Sequence, residues 1–186
     1  MSAKNGNAWM GSSYPGGARE PRGPWHYDGE IDLGFGAALR MAATVLSSDP
    51  IFGWFAYGGA LTEKDGTLSI IPRDGLRQRF AAVIDRNDSK ATVDRFKFEV
   101  DRDGFASEMP IVTDQSLKRI VFTLENRTGD KHTTELSLAP PQGRTYRVIQ
   151  DGKAVTLRQT GIWDYPQRAE LRVTGSQSKI EIVRAD

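Results

Sequence analysis

Thr92-Val93-Asp94-Arg95-Phe96-Lys97-Phe98-Glu99-Val100 is the stretch on which the fold turns. In an extended chain successive side chains point to opposite faces, so Phe96, Phe98 and Val100 share one side and Arg95, Lys97 and Glu99 the other. One greasy and one charged face marks a strand packed on one side and wetted on the other. The same period of two runs outward in both directions. Toward the C-terminus, 117–124 turns Ile120, Phe122 and Leu124 inward, and Leu136 and Leu138 alternate with Glu135 and Ser137. Tyr146 and Val148 alternate with Thr145 and Arg147, Val155 and Leu157 follow an Asp151-Gly152 turn, and Leu171 with Val173 and Ile180 with Ile182 complete the series. Toward the N-terminus, 54–61 and 67–71 flank Glu63-Lys64-Asp65-Gly66, and 76–84 follows Pro72-Arg73-Asp74-Gly75. Asp-Gly between alternating runs is a hairpin signal, because both turn residues must take positive φ. Short alternating strands with frequent turns predict a mainly β chain, an antiparallel β-sandwich over 51–186.

Residues 1–50 read differently. Gly, Pro, Ser and Asn dominate 1–29, which rules out long helices and central strands there. Trp9, Tyr14, Trp25 and Tyr27 are more aromatics than a disordered tail holds, so an irregular segment anchored by its rings is expected. From 33 to 46 the pattern predicts one N-terminal α-helix. Asp32 would cap it, and Ser47-Ser48-Asp49-Pro50 would end it, since Pro50 forces Asp49 out of the helical region. Arg40 is its one charge, and a helix apolar nearly all round is buried on most sides.

The chain has 186 residues, with 25 Lys and Arg against 24 Asp and Glu, a formal net charge of +1. That balance argues against electrostatic binding of nucleic acid. The absence of cysteine excludes disulfides, thiolate catalysis and Cys-based zinc sites. The apolar run at 33–46 falls short of the roughly 20 residues that span a bilayer, so no membrane association is expected. No apolar run follows Lys4, so no secretion signal is read at the N-terminus. This leaves a cytoplasmic protein, or one whose export signal lies outside this sequence.

The most suggestive chemistry lies in Trp25-His26-Tyr27-Asp28-Gly29-Glu30-Ile31-Asp32. If 28–32 is extended, Asp28, Glu30 and Asp32 point to one side. Such carboxylates could serve as an acid and base pair, or offer hard oxygens to Ca²⁺. Nothing else in the sequence calls for a cofactor. His26 and the rings of Trp25 and Tyr27 would suit a sugar site. The competing reading makes Asp32 a helix cap and Asp28-Gly29 a turn. Trp54, Phe55 and Tyr57 could form a stacking platform, against which stands core packing. Arg73, Arg77 and Arg79 could hold an anion, although arginines on a solvated strand face more often pair with nearby acids. His132 is expected to be exposed in a polar turn, and Asn126-Arg127-Thr128 matches a glycosylation acceptor pattern or a plain turn. No phosphate loop, serine elbow or histidine pair at metal spacing occurs.

Three stretches carry a resemblance. They are Asp28-Gly29-Glu30-Ile31-Asp32-Leu33-Gly34-Phe35-Gly36-Ala37-Ala38, Asp49-Pro50-Ile51-Phe52-Gly53-Trp54-Phe55-Ala56-Tyr57-Gly58-Gly59 and Ile71-Pro72-Arg73-Asp74-Gly75-Leu76-Arg77. Together they resemble the end of an uncharacterised bacterial family of large, exported, glycoside-hydrolase-like proteins, an (α/α) toroid followed by a C-terminal β-sandwich. The likeness rests on motifs over about 8–100 and on strand pattern beyond. It implies that the helix is the toroid's last, that Asp28 and Glu30 lie near the toroid mouth, and that the protein is exported. The rest of the toroid is missing from this sequence, which weakens the case for catalysis.

Three functions are therefore expected to compete. The first is a carbohydrate-associated, non-catalytic module that holds a glycan or packs on a helical catalytic domain, with Trp25, His26, Tyr27, Trp54, Tyr57 and Arg73 as ligand-binding candidates. The second is a glycoside hydrolase using Asp28 and Glu30. The third is a structural homo-oligomer that buries the helix between subunits.

Overall fold

The computed structural model describes residues 2–4, 7–9, 43–49, 53–85, 93–162 and 165–185. They fall into two units, Met1–Ala42 and Ala43–Asp186. In the first unit, β1 (Ser2–Lys4) and β2 (Asn7–Trp9) pair antiparallel.

The second unit consists of β3 (Thr44–Asp49), β4 (Gly53–Tyr57), β5 (Gly59–Lys64), β6 (Thr67–Pro72), β7 (Arg79–Asp85), β8 (Val93–Val100), β9 (Gly104–Phe105), β10 (Ile111–Asp114), β11 (Arg119–Glu125), β12 (His132–Ala139), β13 (Tyr146–Gln150), β14 (Lys153–Val155), β15 (Leu157–Gln159), β16 (Gln167–Val173) and β17 (Gln177–Arg184). Two sheets hold them. One has eight strands in the order β14-β13-β17-β11-β10-β6-β5, with β9 also on β11. The other has seven, β15-β16-β12-β8-β7-β3-β4. Every pairing is antiparallel except β3 with β7. The mainly β reading holds, and no helix occurs among the described residues.

The alternation that predicts the strands also builds the core. Phe80, Phe96, Phe98, Leu136 and Leu171 face inward from the seven-stranded sheet, and Ile70, Ile120, Phe122, Val148 and Ile182 from the eight-stranded one, all without significant exposure. Phe98 is the hub. Its ring stacks on Phe122 of the opposite sheet at 5.1 Å and 19°, and lies 5.2 Å from Phe80 and 5.6 Å from Phe105. Arg95, Lys97 and Glu99 of β8 keep to the outer face, where Arg79 of β7 and Glu99 stand directly opposite and pair at 3.1 Å.

Four sequence expectations change. The helix predicted over 33–46 lies outside the described residues up to 42, and its last residues, Thr44 to Leu46, are strand. The reason is packing. Thr44 and Leu46 alternate inward to complete burial, while β3 gains ladders on both sides, with β4 and with β7. The sheet therefore begins at Thr44, ahead of the expected start at 51. The predicted strand over 54–61 breaks at Gly58, whose φ of +64° lets the chain leave one sheet for the other. The run through Val155 and Leu157 breaks likewise at Thr156, between β14 and β15. The two Asp-Gly turns are as expected, with φ positive at both residues (Asp65 50°, Gly66 75°; Asp151 49°, Gly152 80°).

Candidate functional site

Trp25, His26, Tyr27, Asp28 and Glu30 lie outside the described residues, as does the third carboxylate, Asp32. Trp54, Tyr57 and Arg73 are described, and they do not form one platform. β4 is the edge strand of the seven-stranded sheet, and its alternation separates its aromatics. Trp54 and Ala56 pack against the core. Phe55 and Tyr57 take the outer face, where their rings meet edge to face at 5.3 Å. Tyr57 is 66% exposed. Across the ladder they sit beside Ser47 and Val45 of β3.

The end of β4 is held by a tight corner. Gly58 O accepts from Arg73 N at 2.7 Å and Asp74 N at 3.0 Å. Buried Thr44 places its hydroxyl 2.9 Å from Asp74 Oδ2 and 3.2 Å from Gly58 O, sharing one proton between two acceptors. Asp74 Oδ1 accepts from Arg77 N at 2.7 Å and Leu76 N at 3.2 Å. A Cβ on Gly58 would lie 2.5 Å from Ala43 O, so only glycine fits. The corner thus fixes where Tyr57 stands. Arg73 is exposed at this corner. Arg77 and Arg79 pair with Glu125 (3.2 Å) and Glu99 (3.1 Å), as arginines on a solvated face are expected to do.

The crossing at 73–78 leads into a second polar cluster that sequence reasoning missed. Asp103 is fully buried. Its Oδ1 accepts from Arg127 N at 3.1 Å, and its Oδ2 lies 2.8 Å from His132 Nε2. His132 Nδ1 lies 2.9 Å from Asp130 O and 3.2 Å from Thr128 Oγ1. Far from standing in solvent, the His132 side chain is only 8% exposed. The Asp130 carbonyl, and then the Asp103 carboxylate, hold its pKa above the ordinary 6.5. A carboxylate beside an imidazole suggests catalysis, but here both ring nitrogens are engaged within the protein. A general base needs a lone pair aimed at a substrate, so this pair acts as a clasp between the β8–β9 and β11–β12 connections.

The remaining groups of the cluster are satisfied in the same way. Gln78 Nε2 donates to Asp103 O at 3.0 Å and Asp101 O at 3.2 Å. Arg127 reaches over Gly104 to donate to Leu76 O, and a Cβ on Gly104 would collide with its guanidinium. Burial and the neighbouring Arg77 push the Arg127 pKa down, against the opposing pull of Glu125, Asp103 and Asp74. Asn126 is consumed by its own turn: Oδ1 accepts from Thr128 N and Gly129 N, and Nδ2 donates to Asp130 O and Gly175 O. Of the two readings of Asn126-Arg127-Thr128, the geometry is that of the turn. Among the described residues no group of three or more histidines and carboxylates is placed to hold a metal ion.

Comparison with family models, with curated proteins and with solved structures finds no match for this chain.

Proposed function

We propose that this chain is a carbohydrate-associated, non-catalytic β-sandwich module that presents the Phe55–Tyr57 face to a glycan. One observation carries the reading: Tyr57 stands 66% exposed on the outer face of edge strand β4, with Phe55 set edge-on against it. A ring exposed in this way offers a flat apolar surface with a polar hydroxyl tip, suited to ligands that are apolar on one side and wet on the other. A pyranose ring is such a ligand, with C–H groups on its face and hydroxyls around its rim. The corner at Gly58 supports the reading, because it fixes the ring's strand before any ligand arrives and lowers the ordering cost of binding. Resemblance to glycoside-hydrolase-like chains supports sugar as the ligand class.

The test is titration of wild-type protein and Tyr57→Ala against a panel of defined oligosaccharides. Stacking worth about 0.5–1.5 kcal/mol corresponds to a two- to tenfold weakening, approximately. Binding that is indifferent to Tyr57→Ala, or absent across the panel, removes this reading.

A further inference from the structure

Where the chain changes sheets at Thr156, β14 and β15 part. β14 continues the ladder on β13, and β15 pairs with β16 only from Leu157↔Ala169 to Gln159↔Gln167. Among the described residues, the rest of β16 has no strand neighbour on that side. Gln150 fills part of the gap like a strand: its Nε2 donates to Arg172 O at 2.7 Å and its Oε1 accepts from Arg172 N at 3.1 Å. Beside this bridge opens a cleft of about 710 Å³, lined among others by Lys153, Thr156, Arg158, Glu170, Arg172 and Thr174. That size is usual for a small-molecule site.

The charges in the cleft are unbalanced. Arg158 reaches Glu170 only at 4.0 Å, with both side chains at least 60% exposed, a pair of little strength. Asp151 Oδ1 accepts from Lys179 N of β17 at 2.8 Å, which fixes this carboxylate at the cleft wall. Among the described residues no carboxylate forms an ion pair with Lys153 or Arg172. Three cations, Lys153, Arg158 and Arg172, therefore share the cleft with two carboxylates, Glu170 and Asp151, and with the hydroxyls of Thr156 and Thr174. Among the described residues no aromatic lines the cleft, so none of them would stack on nucleic-acid bases there. Guanidinium and ammonium groups beside hydroxyls match a ligand that carries anionic groups on a hydroxylated frame.

We infer that this cleft binds an acidic oligosaccharide, its carboxylates or sulfate esters seated among Lys153, Arg158 and Arg172 and its hydroxyls met by Thr156 and Thr174. The inference rests on the carbohydrate reading above and adds a second site to it. The test is calorimetric titration of the full chain at low ionic strength with an oligouronate, a sulfated oligosaccharide and a neutral oligosaccharide of equal length, and with inorganic sulfate and citrate as small-anion controls. A Lys153→Gln/Arg172→Gln double variant is titrated in parallel after its unfolding midpoint is shown to match wild type. Expected is at least about tenfold tighter binding of an acidic ligand than of the neutral one, an advantage lost in the double variant and weakened by salt. The two acidic arms tell carboxylate from sulfate ester. Unchanged acidic affinity in the double variant overturns the cleft as the site. Neutral binding as tight as acidic overturns the anionic preference and leaves the carbohydrate reading standing. Binding of inorganic sulfate or citrate with no oligosaccharide bound removes the carbohydrate reading itself.

Discussion

Asp103 is a carboxylate without solvent, and its survival in the core depends on what it accepts. A buried charge is tolerated only when paired and hydrogen-bonded, and here Arg127 N and His132 Nε2 supply those bonds. The consequence is a dependence of stability on pH. His132 is held above 6.5 in the folded protein, so the fold binds its proton more tightly than the unfolded chain does. The stabilisation is complete below that ordinary value and is lost as pH rises through the raised folded one. Denaturant midpoints measured across neutral pH should therefore fall as pH rises, and His132→Gln should flatten that fall. An equal slope in both proteins would place the titrating group elsewhere. None of this is visible in sequence, since Asp103 and His132 are 29 positions apart and neither belongs to a spaced motif. The aromatics of β4 were within reach, because alternation alone puts Trp54 and Tyr57 on opposite faces. What alternation does not say is which of them faces in.

At the scale of elements, period-two patterning identifies strands but is silent about the sheet to which each belongs. Gly58 shows the difficulty. Trp54 to Leu61 reads as one run, yet β4 and β5 lie in different sheets. The change requires a positive φ and a backbone that packs directly on Ala43 O. A glycine in sequence permits both without demanding either. The same ambiguity turned the end of the expected helix into β3, because Thr44 to Leu46 suits either state and the ladder with β7 decides. Gly58→Ala should therefore cost more than the roughly 1–2 kcal/mol of left-handed strain, since the added methyl also meets a carbonyl 2.5 Å away. Urea denaturation should show a lower midpoint for Gly58→Ala and little change for Gly152→Ala beyond the strain itself, because nothing lies within 4 Å of a Cβ there. Equal losses at both positions would mean that the corner is not held by that contact.

For the Ala43–Asp186 unit as a whole, the question is whether its two sheets unfold as one body. Phe98 answers it, because it belongs to β8 of the seven-stranded sheet and stacks on Phe122 of the eight-stranded one. Its ring also meets that of Phe80, its cross-strand neighbour in the same sheet, and that of Phe105 from the eight-stranded one. Truncating a fully buried phenylalanine leaves a cavity that a close-packed interior fills poorly, at a cost of about 3–5 kcal/mol. If the shared aromatic cluster is what makes the sheets cooperative, Phe98→Ala should lower protection against amide hydrogen exchange by the same amount in β7 and β12 as in β11 and β17. Tyr57→Ala, on the solvent side of an edge strand, should stay within about 0.5 kcal/mol of wild type in both. That contrast matters for function. A binding face tolerates substitution without unfolding the scaffold, so a loss of glycan affinity in Tyr57→Ala can be assigned to the ring itself. A Phe98→Ala protein that loses protection in only one sheet would show that the layers are held by separate cores, and that a face on β4 need not share the stability of the cleft beside β14.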